Sequence, residues 1–83
     1  MPEMILIIAG NMRQANHHVD VHNLRRQNRK YKIVLENRMM FGLKPTEIRL
    51  VGSWQERRDV KRMWDIIKAF EKRLNITAEE YHD

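Results

Sequence analysis

Met4-Ile5-Leu6-Ile7-Ile8-Ala9 is an unbroken apolar run, closed at once by Gly10-Asn11 and followed by Met12-Arg13-Gln14. It has no polar position at either the strand or the helix period, so it cannot be the amphipathic element of a one-sided layer. It fits a strand buried on both faces, the environment of a parallel sheet with helices on either side. That demand falls on the rest of the chain, which must supply pairing strands and two covering layers.

The remaining sequence supplies them in alternation. Residues 12–22 read as a helix with Met12, Ala15 and Val19 on one face, Asn23 at a left-handed cap and Leu24 packing back across it. Tyr31 to Leu35 is a second strand, rich in β-branched and apolar residues. Asn37 caps a short segment, Arg38 to Phe41, stopped by Gly42 and Lys44-Pro45. Glu47 to Val51 is the third strand, ended by Gly52. Gln55 to Leu74 is the longest helix, with Val60, Met63, Trp64, Ile67 and Leu74 as its apolar stripe, which puts Trp64 in the core.

The order βαβαβα implies a small α/β domain: a three-stranded parallel sheet in a Rossmann-like or flavodoxin-like three-layer arrangement with right-handed crossovers. Strand orders 2-1-3 and 3-2-1 both satisfy this. The first is preferred because it centres Met4 to Ala9. With 83 residues there is one domain, read as 1–74, with 75–83 as a flexible C-terminal tail.

Several function classes drop out on composition. The chain has no Cys, which removes disulfides, thiolate metal sites and cysteine catalysis and fits a reducing cytosol, so a cytoplasmic protein is expected. The opening apolar run is too short to span a membrane and follows Glu3 rather than basic residues, so neither anchor nor signal peptide is expected. A net charge of +5 favours acidic partners: nucleic acid, nucleotides or an acidic protein face.

Two turns are built alike. IIAGNMRQA and LVGSWQERR each run from apolar strand to Gly, a capping residue, two positions, then Gln or Glu. Asn11 with Gln14, and Ser53 with Glu56, have the spacing of capping boxes. In a 2-1-3 sheet both turns flank the switch point at the strand carboxyl ends, where open α/β folds bind ligands, and helix N-termini there suit an anion. Arg13, Arg57 and Arg58 lie near these helix starts, where the dipole disfavours cations by roughly 0.3–1 kcal/mol. Residues that break a local rule often mark function. The alternative is that Arg13 is simply exposed, while Arg57 and Arg58 pair with Glu56, Asp59 or Asp65. Trp54 stands beside the turns, to stack on a base or to cover the end of the sheet.

Other groupings carry less. His18 and His22 are one turn apart, but no third ligand accompanies them, so they and His17 read as helix-surface histidines and no metal is expected. RRQNRKYK, residues 25–32, is a basic connection at the far end of the sheet from the two turns. Ser53 is the only serine and serves as a cap, and no paired carboxylates mark a general acid and base.

ILIIAGNMRQA, FGLKP and IRLVGSWQERRD together resemble a family of small proteins of actinobacterial phages and their hosts, in which an Ala-Gly-Asn-x-Arg-Gln-Ala opening accompanies a Val-Gly-Thr/Ser-Trp turn. The likeness covers most of residues 4 to 70. It implies a compact α/β accessory protein and marks Asn11, Arg13, Gln14, Gly52, Ser53, Trp54 and Arg57 as motif positions without giving them a role. The chain departs from it at His18, where a large aromatic residue is expected, and at Asn23, where Gly is expected.

The leading expectation is a non-enzymatic protein that holds a phosphate-bearing ligand, a nucleotide or nucleic acid, through Asn11, Arg13, Gln14, Ser53, Trp54, Arg57 and Arg58, with no cofactor. Two others stand beside it. One is a modulator that docks on a host protein by its basic surface or a sheet edge, an edge that also permits a homodimer. The other is a small hydrolase or transferase, for which the sequence offers no water-activating group.

Overall fold

A computed structural model describes residues 3–82. Strands β1 (Ile5–Ala9), β2 (Tyr31–Val34), β3 (Glu47–Val51) and β4 (Glu79–Tyr81) alternate with helices α1 (Met12–Val21) and α2 (Val60–Leu74) and with two short 3-10 turns, Asn37–Met40 and Trp54–Glu56. All strands are parallel, in the order β2-β1-β3-β4. The apolar run is central: Ile5 to Ile8 have no exposed surface, and β1 pairs with β2 on one side and β3 on the other.

Strand alternation divides the core into two layers. Leu6, Ile8, Val34, Ile48 and Leu50 face α2, where Met63, Ile67 and Phe70 meet them with Met40 and Trp54. Ile5, Ile7, Ala9 and Val51 face α1, where Ala15, Val19 and Leu24 close the layer. The crossover from β2 to β3 is a single tight turn rather than a full helix, so α2 alone covers most of its side. That turn begins at Asn37 with no side-chain cap, whereas the sequence suggests Asn37 as the cap.

Asn23 does take the left-handed conformation, at φ 55°, and the amides of Asn23 and Leu24 reach back to the carbonyls of Asp20 and Val19. This is a Schellman closure made without glycine.

Three expectations need correction. The sheet has four strands, not three, because residues 79–81 pair with Arg49, Leu50 and Val51 instead of forming a loose tail. A three-stranded sheet would leave the outer edge of β3 unpaired. Asn75, also left-handed at φ 55°, turns the chain back, and the Glu71 carboxylate accepts from the Ala78 amide at 2.8 Å to steer the return. Secondly, α2 starts at Val60 rather than Gln55, after the turn at Trp54–Glu56 and an extended Arg57. Thirdly, Trp64 is 41% exposed and Phe70 takes the core position. The buried line runs through Met63, Ile67 and Phe70, and Trp64 sits about 100° round the helix from Met63, on the flank of that line.

Candidate functional site

The two turns do come together at the carboxyl ends of β1 and β3, but the space between them is filled from within. The Gln14 Oε1 atom accepts from the Gly10 amide at 3.0 Å, from the Ser53 amide at 3.0 Å and from the Ser53 hydroxyl at 3.2 Å. Its Nε2 donates to Ser53 Oγ at 3.0 Å. Two backbone donors converge on one atom, so only the carbonyl end of the amide can face them. The side-chain amide thus takes the place at which an anion would meet these N–H groups.

Backbone space matters here. A Cβ on Gly10 would run into Ser53 Oγ and come within 2.6 Å of Gln14 Oε1, and a Cβ on Gly52, at φ +60°, would meet the same amide. Both glycines admit the Gln14 side chain.

Only the first capping box forms, and only half of it. Asn11 Oδ1 accepts from the Gln14 amide at 2.9 Å, while the Gln14 side chain reaches one residue further back than a box requires. Ser53 makes no side-chain cap, since its hydroxyl is used by Gln14.

Arg57 is a clamp. Its Nη1 donates to the carbonyls of Ala9 at 2.8 Å and Val34 at 3.3 Å, its Nη2 to Leu35 O at 2.7 Å and Asp59 Oδ2 at 3.4 Å, and its Nε to Asp59 Oδ1 at 2.9 Å. A guanidinium has five N–H donors, and all of them are engaged. The side chain is 11% exposed and ties the ends of β1 and β2 to the approach to α2. The hydrogen bond from Arg57 holds the Asp59 carboxyl below the ordinary carboxylate range, against the upward push of burial. Arg57, expected as a ligand cation, therefore spends its donors on the fold.

Next to the filled gap lies an open cleft of about 340 Å³, bounded by Ala9, Gly10 and Asn11, by Val34 and Leu35, and by Arg57 to Asp59. Arg58 is exposed at its rim and forms no side-chain hydrogen bond or ion pair among the described residues. The amides of Met12 and Arg13 precede the first intrahelical donor, Ala15 to Asn11, and Gln14's is capped, so the start of α1 has donors to offer beside Asn11. The Arg13 side chain is exposed and likewise unpaired. Of the expected site residues, Asn11, Arg57 and Arg58 line the cleft, and Arg13 follows two residues after Asn11 on α1 without lining it. Gln14 and Ser53 close the neighbouring gap. Trp54 is 5% exposed and covers the end of the sheet beneath α2.

Two buried polar residues escape a reading of the sequence. His18 has no exposed surface and Arg49 only 6%, and they meet on the α1 side with Arg49 Nη1 3.1 Å from His18 Nε2. A guanidinium can only donate, so Nε2 carries no proton in this contact. Tyr81 lies edge-on to His18 with centroids 4.8 Å apart, beneath the Arg49 guanidinium at 4.9 Å, and burial raises its hydroxyl pKa. The surface histidine expected at this position is thus an interior one. Among the described residues no group of three His, Asp or Glu side chains is placed to hold a metal. Within the basic run, Arg25 pairs with Asp20, and Arg29 with Glu3 and Glu47. Two of the five cations of that run are therefore internally matched.

Comparison of the chain with family models, with curated proteins and with solved structures finds no match. No helix among the described residues is long and apolar enough to cross a membrane.

Proposed function

We propose that the protein binds a phosphate-bearing ligand, without chemistry, in the cleft above the ends of β1 and β2. The observation that carries this reading is Arg58: an unpaired guanidinium on the rim of a concave site that also holds Gly10, Asn11 and the first turn of a helix. A helix start supplies N–H donors and the positive end of a dipole, and a free guanidinium supplies a bidentate partner for phosphate. The gap between the two turns is set aside as the seat, because its donors already serve Gln14. A binding role rather than a catalytic one follows from Asp59, the carboxyl in the cleft, which Arg57 keeps ionised and which is therefore poorly suited to exchanging protons near neutrality. The positive charge of the chain assists capture of such a ligand.

Amide chemical shifts recorded while inorganic phosphate, AMP and ATP are added test the reading. Gly10, Asn11, Met12 and Arg58 are expected to move together and saturably, and Arg58→Glu is expected to abolish the response. Shifts that stay fixed across the series, or that spread evenly over every lysine and arginine, refute it.

A further inference from the structure

The cleft alone does not distinguish a free nucleotide from a longer strand, but the surface beside it does more. From Arg58 the chain runs directly into α2, whose outer side places an aromatic ring among cations. Trp64 is 41% exposed on a helix that buries Met63 and Ile67 completely. Its ring stacks on Trp54, with centroids 5.5 Å apart and an interplanar angle of 30°, and Trp54 is itself held in the core. The exposed ring is therefore a backed platform and not a loose side chain. Lys61 and Lys68 lie one turn before and one turn after it, and the Lys68 ammonium lies over the ring, 5.0 Å from its centroid, so a base stacking on that face takes the place of a flexible side chain. Trp54, Gln55, Val60, Lys61 and Trp64 enclose a hollow of about 370 Å³.

The charge on α2 is not matched by ion pairs. α2 carries Lys61, Arg62, Lys68, Lys72 and Arg73 against Asp65 and Glu71, and none of those cations forms an ion pair among the described residues. A buried apolar ligand would use the ring and leave the lysines idle, and an acidic protein would use the lysines and leave the ring idle. An unpaired base on a sugar–phosphate chain uses both, because every base has a face to stack and every link carries a phosphate.

We propose that Arg58, Lys61, Trp64 and Lys68 form a track for single-stranded nucleic acid, with one phosphate at Arg58 in the cleft and a neighbouring base stacked on Trp64. This rests on the cleft being a phosphate site. A duplex keeps its bases paired and cannot offer a face to the ring.

The test uses the intact chain and a fluorescently labelled oligothymidylate of about ten nucleotides, followed by anisotropy across a salt series. Trp64→Ala is expected to weaken oligomer binding about five- to a hundredfold while leaving the phosphate-induced shifts of Gly10 and Asn11 in place. Replacing Lys61 and Lys68 together by Gln is expected to lower the slope of log affinity against log salt by about 1.4. Oligomer binding that ignores Trp64→Ala, or that polyglutamate or duplex DNA competes away equally well, overturns the track. If the phosphate response is absent but Trp64-dependent oligomer binding persists, the cleft reading fails, and with it the placement of a phosphate at Arg58. If the phosphate response stands and the oligomer is insensitive to Trp64, the track alone fails.

Discussion

Replacing Gln14 by Ala removes the acceptor shared by the Gly10 amide, the Ser53 amide and the Ser53 hydroxyl, across a junction that joins residues 39 apart in sequence. Each donor left in a fully dry site would cost about 1–3 kcal/mol. These sites are only partly buried, and the vacated space opens toward the cleft, so water recovers some of the loss. The expected destabilisation is about 2–3 kcal/mol, near the lower end of the per-donor range multiplied over three donors. At roughly 4–8 °C per kcal/mol for a domain of this size, the melting temperature should fall by about 10–20 °C. Gln14→Glu keeps an acceptor for both amides and places a carboxylate in the first turn of α1, where the dipole returns about 0.3–1 kcal/mol, so it should melt within a few degrees of the parent at neutral pH. Thermal unfolding followed by circular dichroism reads both variants. If Gln14→Ala melts within about 3 °C of the parent, or if Gln14→Glu is the more damaging of the two, the amide is not the bridge between the turns.

The remaining predictions concern the clamp and the glycines. Arg57→Ala takes its cation from Asp59, leaving only Asn37 as a side-chain partner among the described residues, and strips three strand-end carbonyls, and should cost about 2–4 kcal/mol in urea unfolding, with Arg57→Lys recovering only part because an ammonium cannot reproduce the planar fork. Because Arg57 depresses the Asp59 pKa in the folded state, that carboxylate stabilises the fold above its unfolded value of about 4, and the contribution is lost as pH falls through the lower folded value. The melting difference between the parent and Asp59→Asn should therefore be flat from neutral pH down to about 5 and shrink below about 4; a difference that grows on acidification would contradict the assignment. Gly10→Ala, which forces a Cβ onto Ser53 and Gln14, should cost about 2–3 kcal/mol by chemical denaturation. Gly42→Ala, left-handed at φ 81° but in open space, should cost only about 1 kcal/mol. Equal losses at the two glycines would mean that a Cβ at residue 10 is accommodated and that the packing of Gln14 and Ser53 does not set the Gly10 requirement.

What could be read in advance follows the range of the interactions. β1 is legible because a parallel strand buried on both faces is apolar along its whole length, and the preference for β1 at the centre uses the same fact; β3 carries Glu47 and Arg49 and is legible only from Ile48, Leu50 and Val51 closed by Gly52. Asn23 is legible as a helix end because its left-handed cap is local. β4 is not: Glu79-Glu80-Tyr81 has neither alternation nor β-branched residues and becomes a strand only because β3 presents an unpaired edge to it. The Trp64 and Phe70 positions exchange because apolar residues at both 63 and 64 fit a helical stripe, and only the contact with the sheet decides which flank is buried. In the site, the spacing of Asn11 and Gln14 announces a cap, but the bond from Gln14 to Ser53 depends on two distant strands lying side by side. The pairing of Arg57 with Asp59 is one of the readings the sequence offers, but its other three partners are backbone carbonyls, which leave no mark on a sequence.

The central place of β1 has a consequence for how the chain is made. β1 is synthesised before either of the strands that flank it, and because all the pairings are parallel, none can form until a crossover has been completed. During that interval Ile5 to Ala9 is an apolar strand with two open edges and neither face covered, the form in which nascent chains find one another most readily. Closure of α1 through Ala15 and Val19 over Ile5, Ile7 and Ala9 shields only one face. The other stays open until α2 emerges, so the segment most committed to the interior is the last to gain full protection from neighbouring chains.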